Sequence, residues 1–306
     1  MRTAVIDIGT NSTRLLVADV VDGRIEELFR RSIVTRLGDR VDQTGRLDDA
    51  ACERVYEVLA RYRDEFSEAG ATRVGGVATS AVRDSENGDA FVATIAERFG
   101  INIELIDGET EAQLTFAGAS IEATVGEGGR GLVIDIGGGS TEFIVGHAGT
   151  LDFHVSTDVG AVRQSERFLH SDPPSSEELA ALVAEVTQII RDEVPEQWRR
   201  DIRHATGVAG TPTVLASIDL ALEQFDPWKV HGHPITRAAC EHLLDRLAAL
   251  PLAERRNVTG LHPDRAPTIV AGAAIMLVAL REFALDAIEV SEHDILYGLA
   301  IRLAAR

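Results

Sequence analysis

Three glycines, Gly137-Gly138-Gly139, run straight into Ser140 and Thr141 just after the apolar stretch Leu132 to Ile136. Lacking Cβ atoms, such a backbone can come within hydrogen-bond distance of a ligand and aim several N–H groups at it, which is the physics of a phosphate cradle. A second copy opens the chain. The segment "VIDIGTNSTRL" from Val5 matches "VIDIGGGSTEF" from Val133 nearly residue for residue. Asp7 and Asp135 hold equivalent places at the end of the apolar run, where a carboxylate faces a ligand instead of a core. A carboxylate beside phosphate makes sense with a hard cation, Mg²⁺ or Mn²⁺, between them. One isolated glycine run is commonly a tight turn. Two copies, each with a strand-end Asp before the turn and Ser-Thr after it, point to phosphate.

Strands must carry these turns. "TAVIDIG" and "RLLVADVV" are β-rich runs on either side of the first turn, and Asp22-Gly23 in "VVDGRIEEL" signals a hairpin to a third strand. After Asp48, a good N-cap, "AACERVYEVLARYRDEF" has helical spacing; "RVGGVAT", "DAFVATIAERF", "NIELI" and "ETEAQLTFAGASIEA" then read strand, helix, strand, helix. The order is β-β-β-α-β-α-β-α. Periodicity fades over "EATVGEGGRG", which is the natural domain boundary. The three-strand opening then repeats as "LVIDI", "EFIVGH" and "LDFHVS", with a turn at Gly149 between the last two. Helical segments follow, interrupted by "HATGVAG", and "DAIEVS" with a helix from about Asp294 closes the chain. The repeat predicts two similar α/β domains, 1–124 and 125–306, facing each other across a cleft, with helix 294–306 packing back on the first.

Composition sets the bounds. The chain has 306 residues, 45% of them hydrophobic, and nine prolines, which suits two globular domains. Its formal net charge of −19 argues against nucleic acid as a general partner. An anionic small substrate would have to be held by backbone N–H groups, a few arginines and a divalent metal. The first strand begins at Thr3 with no leader-like segment before it, and the longest apolar stretch, from Thr268, is broken by Arg281 and Glu282. These features predict a cytoplasmic protein that does not span a membrane. Cys52 and Cys240 fit no zinc or redox spacing and read as packing residues. Lys229 is the only lysine.

Within the superfamily of acetate kinase, sugar kinases, heat-shock chaperones and actin, the sequence resembles the exopolyphosphatase and guanosine pentaphosphate phosphohydrolase family. "DIGTNSTRLLVAD", "ATSAVRDSEN", "IDGETEAQLTFAGA", "VIDIGGGSTEFIVG", "GVAGTPTVLA", "FDPWKVHG" and "GLHPDRAPTIVAGAAIM" carry the likeness in order and spacing. It implies two ribonuclease-H-like (actin-like ATPase) domains with the active site in the cleft, and hydrolysis of a phosphoanhydride. It implies that Glu111 activates the attacking water, that Asp135 and Glu142 serve the metal and the water, and that Arg83 grips phosphate. Asn11, Ser12, Gly138, Gly139, Ser140, Gly210 and Thr211 match the donors around the chain end. The first turn, with Asn11 and Arg14, would mainly bind, and the second would place Glu142 where hydrolysis can run. Lys229 and His231 are candidates for an outlying part of the phosphate chain. A homodimer is expected from the family.

Without the resemblance, Glu111 is a commonplace helix-start glutamate and Arg83 a partner for Asp84 or Glu86. The chain lacks the additional C-terminal helical region of longer members, which points to shorter polyphosphate. "SEHDILYGLA" also departs from the family, placing Leu296-Tyr297 where Arg-Glu precede the glycine. The expected reaction is release of terminal orthophosphate from inorganic polyphosphate. The alternatives are guanosine pentaphosphate as substrate, a kinase of the same fold, and a non-hydrolytic actin-like phosphate or nucleotide binder.

Overall fold

A computed structural model of the protein describes residues 1–119, 129–147 and 150–305. The expected boundary at 124 and the Gly149 turn lie outside these residues. The chain divides into two compact units, Met1–Gly118 with His293–Arg306, and Ala119–Glu292.

In the first unit, β1 (Arg2–Ile8), β2 (Ser12–Val21) and β3 (Arg24–Val34) form an antiparallel meander. Asp22 and Gly23, both at positive φ, make the tight turn between the last two. Then come α1 (Val41–Thr44), α2 (Asp49–Glu68), β4 (Arg73–Ala78), α3 (Ser80–Arg83), α4 (Gly88–Phe99), β5 (Ile103–Leu105) and α5 (Gly108–Ala119). Asp48 caps α2 by accepting from the N–H groups of Ala50 and Ala51. The sheet order is β3-β2-β1-β4-β5, with β4 and β5 parallel to β1.

Alternation along β1 assigns its two faces. Ala4, Ile6 and Ile8 pack with Val55, Leu59 and Tyr62 of α2 and with Ile95 of α4. Val5 faces the other way, with Leu16 and Ala18, onto Leu114 of α5 and onto Leu296 and Leu299 of the C-terminal helix, Ile295–Ala305. Period two therefore turns Asp7 toward the α5 and C-terminal-helix side. Those two helices meet backbone to backbone: a Cβ on Gly118 would lie 1.9 Å from the Asp294 carbonyl oxygen, and one on Gly298 2.0 Å from that of Leu114. On the opposite face, the fully buried Tyr62 donates its hydroxyl to the Thr13 carbonyl at 2.9 Å, tying α2 to the start of β2. Tyr62→Phe is expected to lower stability by about 1 kcal/mol in urea unfolding, the usual net value of a buried hydrogen bond.

The second unit repeats the plan. It runs β6 (Arg130–Ile136), β7 (Thr141–His147), β8 (Thr150–Thr157), α6 (Ala161–Phe168), α7 (Ser176–Glu193), α8 (Glu196–Arg199), β9 (Ile202–Val208), α9 (Gly210–Asp219), α10 (Pro227–Val230), β10 (Pro234–Thr236), α11 (Arg237–Ala248), α12 (Leu252–Arg255), α13 (Ile269–Glu282) and β11 (Ala287–Val290). Its sheet, β8-β7-β6-β9-β11-β10, has the same order as the first, plus β10 as an added antiparallel edge. Every residue of α13 from Ile269 to Leu280 is buried. This is the longest apolar stretch of the sequence, and among the described residues no helix is long and apolar enough to cross a membrane.

Candidate active site

Register explains how the first unit assembles its chemistry. Ile8, Ala78 and Leu105 stand in one row across the parallel strands β1, β4 and β5. The segments leaving that row carry Asn11 and Ser12, then Arg83 in α3, then Glu111 in the first turn of α5. Ligand-binding loops gather at this end of parallel strands because each strand delivers its connection there. Asp107 starts α5 by accepting from the Thr110 N–H, and that bond holds its carboxyl below the usual range. Glu111, 7% exposed, comes next, with Oε2 3.4 Å from Nη1 of Arg83. The same Nη1 donates to the Ile106 carbonyl at 3.1 Å, and Nε lies 3.5 Å from Asp84. The ion pair with Asp84 and the contact with Glu111 therefore coexist.

The two glycine turns are built alike. Gly9 N–H donates to the Ser12 carbonyl at 3.0 Å, and Gly137 N–H to that of Ser140 at the same distance. A Cβ on either glycine would crowd that carbonyl, at 3.3 and 3.2 Å. Other backbone groups then occupy the turn carbonyls. Thr35 and Arg36 N–H groups donate to Asn11, while Ala161 and Val162 at the start of α6 donate to Gly137 and Gly138, and Arg163 Nε donates to Gly139. With its carbonyls occupied in this way, the second turn has the N–H groups of Gly138 and Gly139 to offer a ligand, beside the buried Ser140 hydroxyl.

One register position separates the copies chemically. Across from Asp7 on β2 stands Arg14, and across from Asp135 on β7 stands Glu142. Arg14 donates Nε to Asp7 Oδ2 at 2.8 Å, has Nη2 2.7 Å from the same oxygen, and gives Nη1 to Asp294. Asp7 Oδ1 is buried without a partner among the described residues. Burial pushes the Asp7 carboxyl above its ordinary range; Arg14 opposes this and Asp294 adds to it. In the second copy two carboxylates face each other across the strands, and the Ser156 hydroxyl on β8 donates to Glu142 Oε1 at 2.7 Å. Like charges directly opposite repel, so a cation placed beside this pair would relieve that repulsion.

In the first unit the orphaned Asp7 oxygen, and in the second the Asp135–Glu142 pair, each have the chemistry of a partial ligand set for a hard divalent ion. Among the described residues no three His, Cys, Asp or Glu side chains form a ready cage. One or two carboxylates are what an ion of the Mg²⁺ type takes, its shell being filled by water and substrate phosphate.

Gly210 and Thr211 open α9, which follows β9. Val208 pairs with Asp135 in the parallel register, so this loop leaves the sheet beside the second glycine turn. Ala209 enters it at φ 70, ψ −169, an unusual backbone for a residue with a Cβ. The Arg265 guanidinium lies against Gly210, where an added Cβ would come 2.4 Å from Nη1. Neither Arg265 nor Asp294 was singled out by sequence reasoning, although "GLHPDRAP" and "SEHDILYG" drew attention to both segments. Lys229 sits on the short α10, 3.6 Å from Asp226, and His231 Nδ1 accepts from the Glu292 N–H.

A duplicated α/β unit whose parallel strands deliver glycine- and hydroxyl-bearing loops defines a protein of two similar α/β units, each carrying a candidate phosphate-binding turn. The chain belongs to the Ppx/GppA phosphatase family, whose model matches residues 16–304. It is similar to exopolyphosphatase 2 of Mycobacterium tuberculosis, at 37% identity over 99% of this chain and 98% of that protein. Among solved structures it resembles an exopolyphosphatase-like protein, with a TM-score of 0.91, 31% identity and 98% of each chain covered. An exopolyphosphatase from Cytophaga hutchinsonii gives a TM-score of 0.89 at 28% identity, over 100% of this chain and 98% of that one.

Proposed function

We propose that this protein is an exopolyphosphatase that releases terminal orthophosphate from inorganic polyphosphate. The observation that carries the reading is the pairing of Glu111 with Arg83. A nearly buried carboxylate set beside a guanidinium is what in-line attack by water on a phosphoryl group requires, one partner for the water and one for the phosphate charge. The likeness to named exopolyphosphatases supplies the substrate class.

In this reading Arg83 neutralises the terminal phosphoryl oxygens, and a Glu111 carboxylate oxygen orients the water and accepts its proton as the P–O bond to the chain breaks. The N–H groups of Gly138 and Gly139, the Ser140 hydroxyl, Asn11, Ser12, and the α9 N-terminus at Gly210 and Thr211 bind the remaining phosphate oxygens. Asp7, Asp135 and Glu142 would hold Mg²⁺ or Mn²⁺, which supplies charge neutralisation of the phosphates when bound. Lys229 and His231 are assigned to outer phosphates. In this reading the protein acts in the cytoplasm as a homodimer.

The test is phosphate release from short polyphosphate, long polyphosphate, guanosine pentaphosphate and ATP in parallel, with Mg²⁺ and with excess chelator. Release is expected to be fastest from polyphosphate and to vanish on chelation. Faster release from guanosine pentaphosphate would reassign the substrate, and turnover unaffected by chelator would remove the metal from the mechanism.

A further inference from the structure

The segment that departs from the family pattern, "SEHDILYG", contributes a side chain to the base of the first phosphate turn. Asp294 is 5% exposed, and both of its oxygens are engaged. Oδ1 accepts from the Leu296 N–H at 3.0 Å, capping the C-terminal helix, and Oδ2 takes Nη1 of Arg14. Its backbone is fixed by the close approach of Gly118 at the end of α5, the helix that starts with Glu111. Nε and Nη2 of Arg14 both meet Oδ2 of Asp7, which leaves Asp7 Oδ1 buried and without a partner among the described residues.

The charges of this triad can be counted. Two carboxylates and one guanidinium leave one net negative charge. Had Asp7 and Arg14 stood alone, they would be neutral and would offer a cation little. Asp294 offsets the arginine, so the cluster as a whole keeps one net negative charge while Arg14 still fixes the orientation of the orphaned oxygen. We propose that Asp294 is a positioning residue that, by sharing Arg14, keeps the Asp7 cluster net negative and so favours the divalent cation there.

The inference rests on the metal-assisted reading of Asp7, and the experiment separates the two. Mn²⁺ alone is titrated into the full-length protein, and binding is followed by electron paramagnetic resonance of the free ion, with circular dichroism to verify folding. The variants are Asp294→Asn, Asp294→Ser, Arg14→Gln/Asp294→Asn and Asp7→Asn. Asn and Ser both cap helices well, so the two single variants at Asp294 keep the cap and remove the charge. Each should bind Mn²⁺ about tenfold more weakly, the order expected for losing one nearby charge at a dielectric between protein and water.

The double variant returns the cluster to one net negative charge and should recover affinity to within about threefold of the original. A purely structural Asp294 predicts the reverse, a double variant no better than the single ones, and that result overturns the proposal. Unchanged Mn²⁺ affinity in both folded single variants overturns it as well. If Asp7→Asn binds Mn²⁺ as the original protein does, the cation does not use Asp7 and the underlying reading fails together with the inference.

Discussion

Glu111→Gln is expected to lower kcat for phosphate release from polyphosphate by about 10²–10⁴, the range removed with a general base, while KM changes by less than about threefold. The substitution is nearly isosteric, and it sits in the first turn of a helix, where the Glu111 N–H bond to the Asp107 carbonyl does not depend on the side chain. Gln can still approach Nη1 of Arg83 but cannot accept a proton from water. The lost ion pair is a modest stability term, because Arg83 is also held by the Ile106 carbonyl and its side chain is 27% exposed; about 0.5–1 kcal/mol is the expected scale. A melting temperature close to that of the original protein with a rate collapsed by two orders of magnitude separates chemistry from folding. A kcat within threefold of the original would show that Glu111 does not orient the water, and the function would pass to another acid.

The hairpins were legible because a strand-turn-strand writes its identity locally. The copies at Val5 and Val133 repeat strand, Asp, turn and Ser-Thr in the same order, and the structure gives them the same turn hydrogen bond and the same register partners. Five helices of four residues, α1, α3, α8, α10 and α12, were not foreseen, since one turn has no periodicity to read. The three-residue strand β10 was missed for the same reason; Pro234 opens it, and it survives as an antiparallel edge on β11. The site was legible to the extent that it lies within motifs. Arg83 could be matched to phosphate only through the family resemblance, because its neighbour Asp84 offered an ordinary ion pair. Asp294 meets Arg14 from 280 residues away, so no local pattern could disclose the contact.

The difference between Arg14 and Glu142 is where the repeat stops being a repeat. Placing two carboxylates opposite each other costs roughly 0.2–1 kcal/mol in an antiparallel pair, whereas Arg opposite Asp is favourable by a similar amount. The first hairpin takes the stable option and the second does not. A local rule broken in one copy and kept in its twin is what a functional constraint on the second copy would produce, since the shared fold shows that stability did not require it.

Gly160→Ala tests the same cradle through its packing, and here the expected effect falls on stability and turnover together. Gly160 is the N-cap of α6 at φ −131, ψ 157, extended backbone that alanine adopts freely, so the substitution reads crowding and not dihedral strain. The new Cβ would lie 2.2 Å from the Gly138 carbonyl oxygen and 2.4 Å from the carbonyl carbons of Gly138 and Gly139. All three atoms belong to the turn's own backbone, so no side chain can swing aside. Relief requires the turn and the start of α6 to separate by roughly 1 Å, since ordinary contacts begin near 3.5 Å. That movement breaks the bonds from Ala161 and Val162 to Gly137 and Gly138, at 2.9 and 2.8 Å, which hold the turn in shape. A loss of about 1–3 kcal/mol is expected in chemical denaturation. For polyphosphate, kcat/KM should fall by about 10², comparable to misplacing one preorganised backbone donor. If the variant melted and turned over like the original, the turn would not depend on α6 for its shape, and the cradle would have to be preorganised by the strands alone.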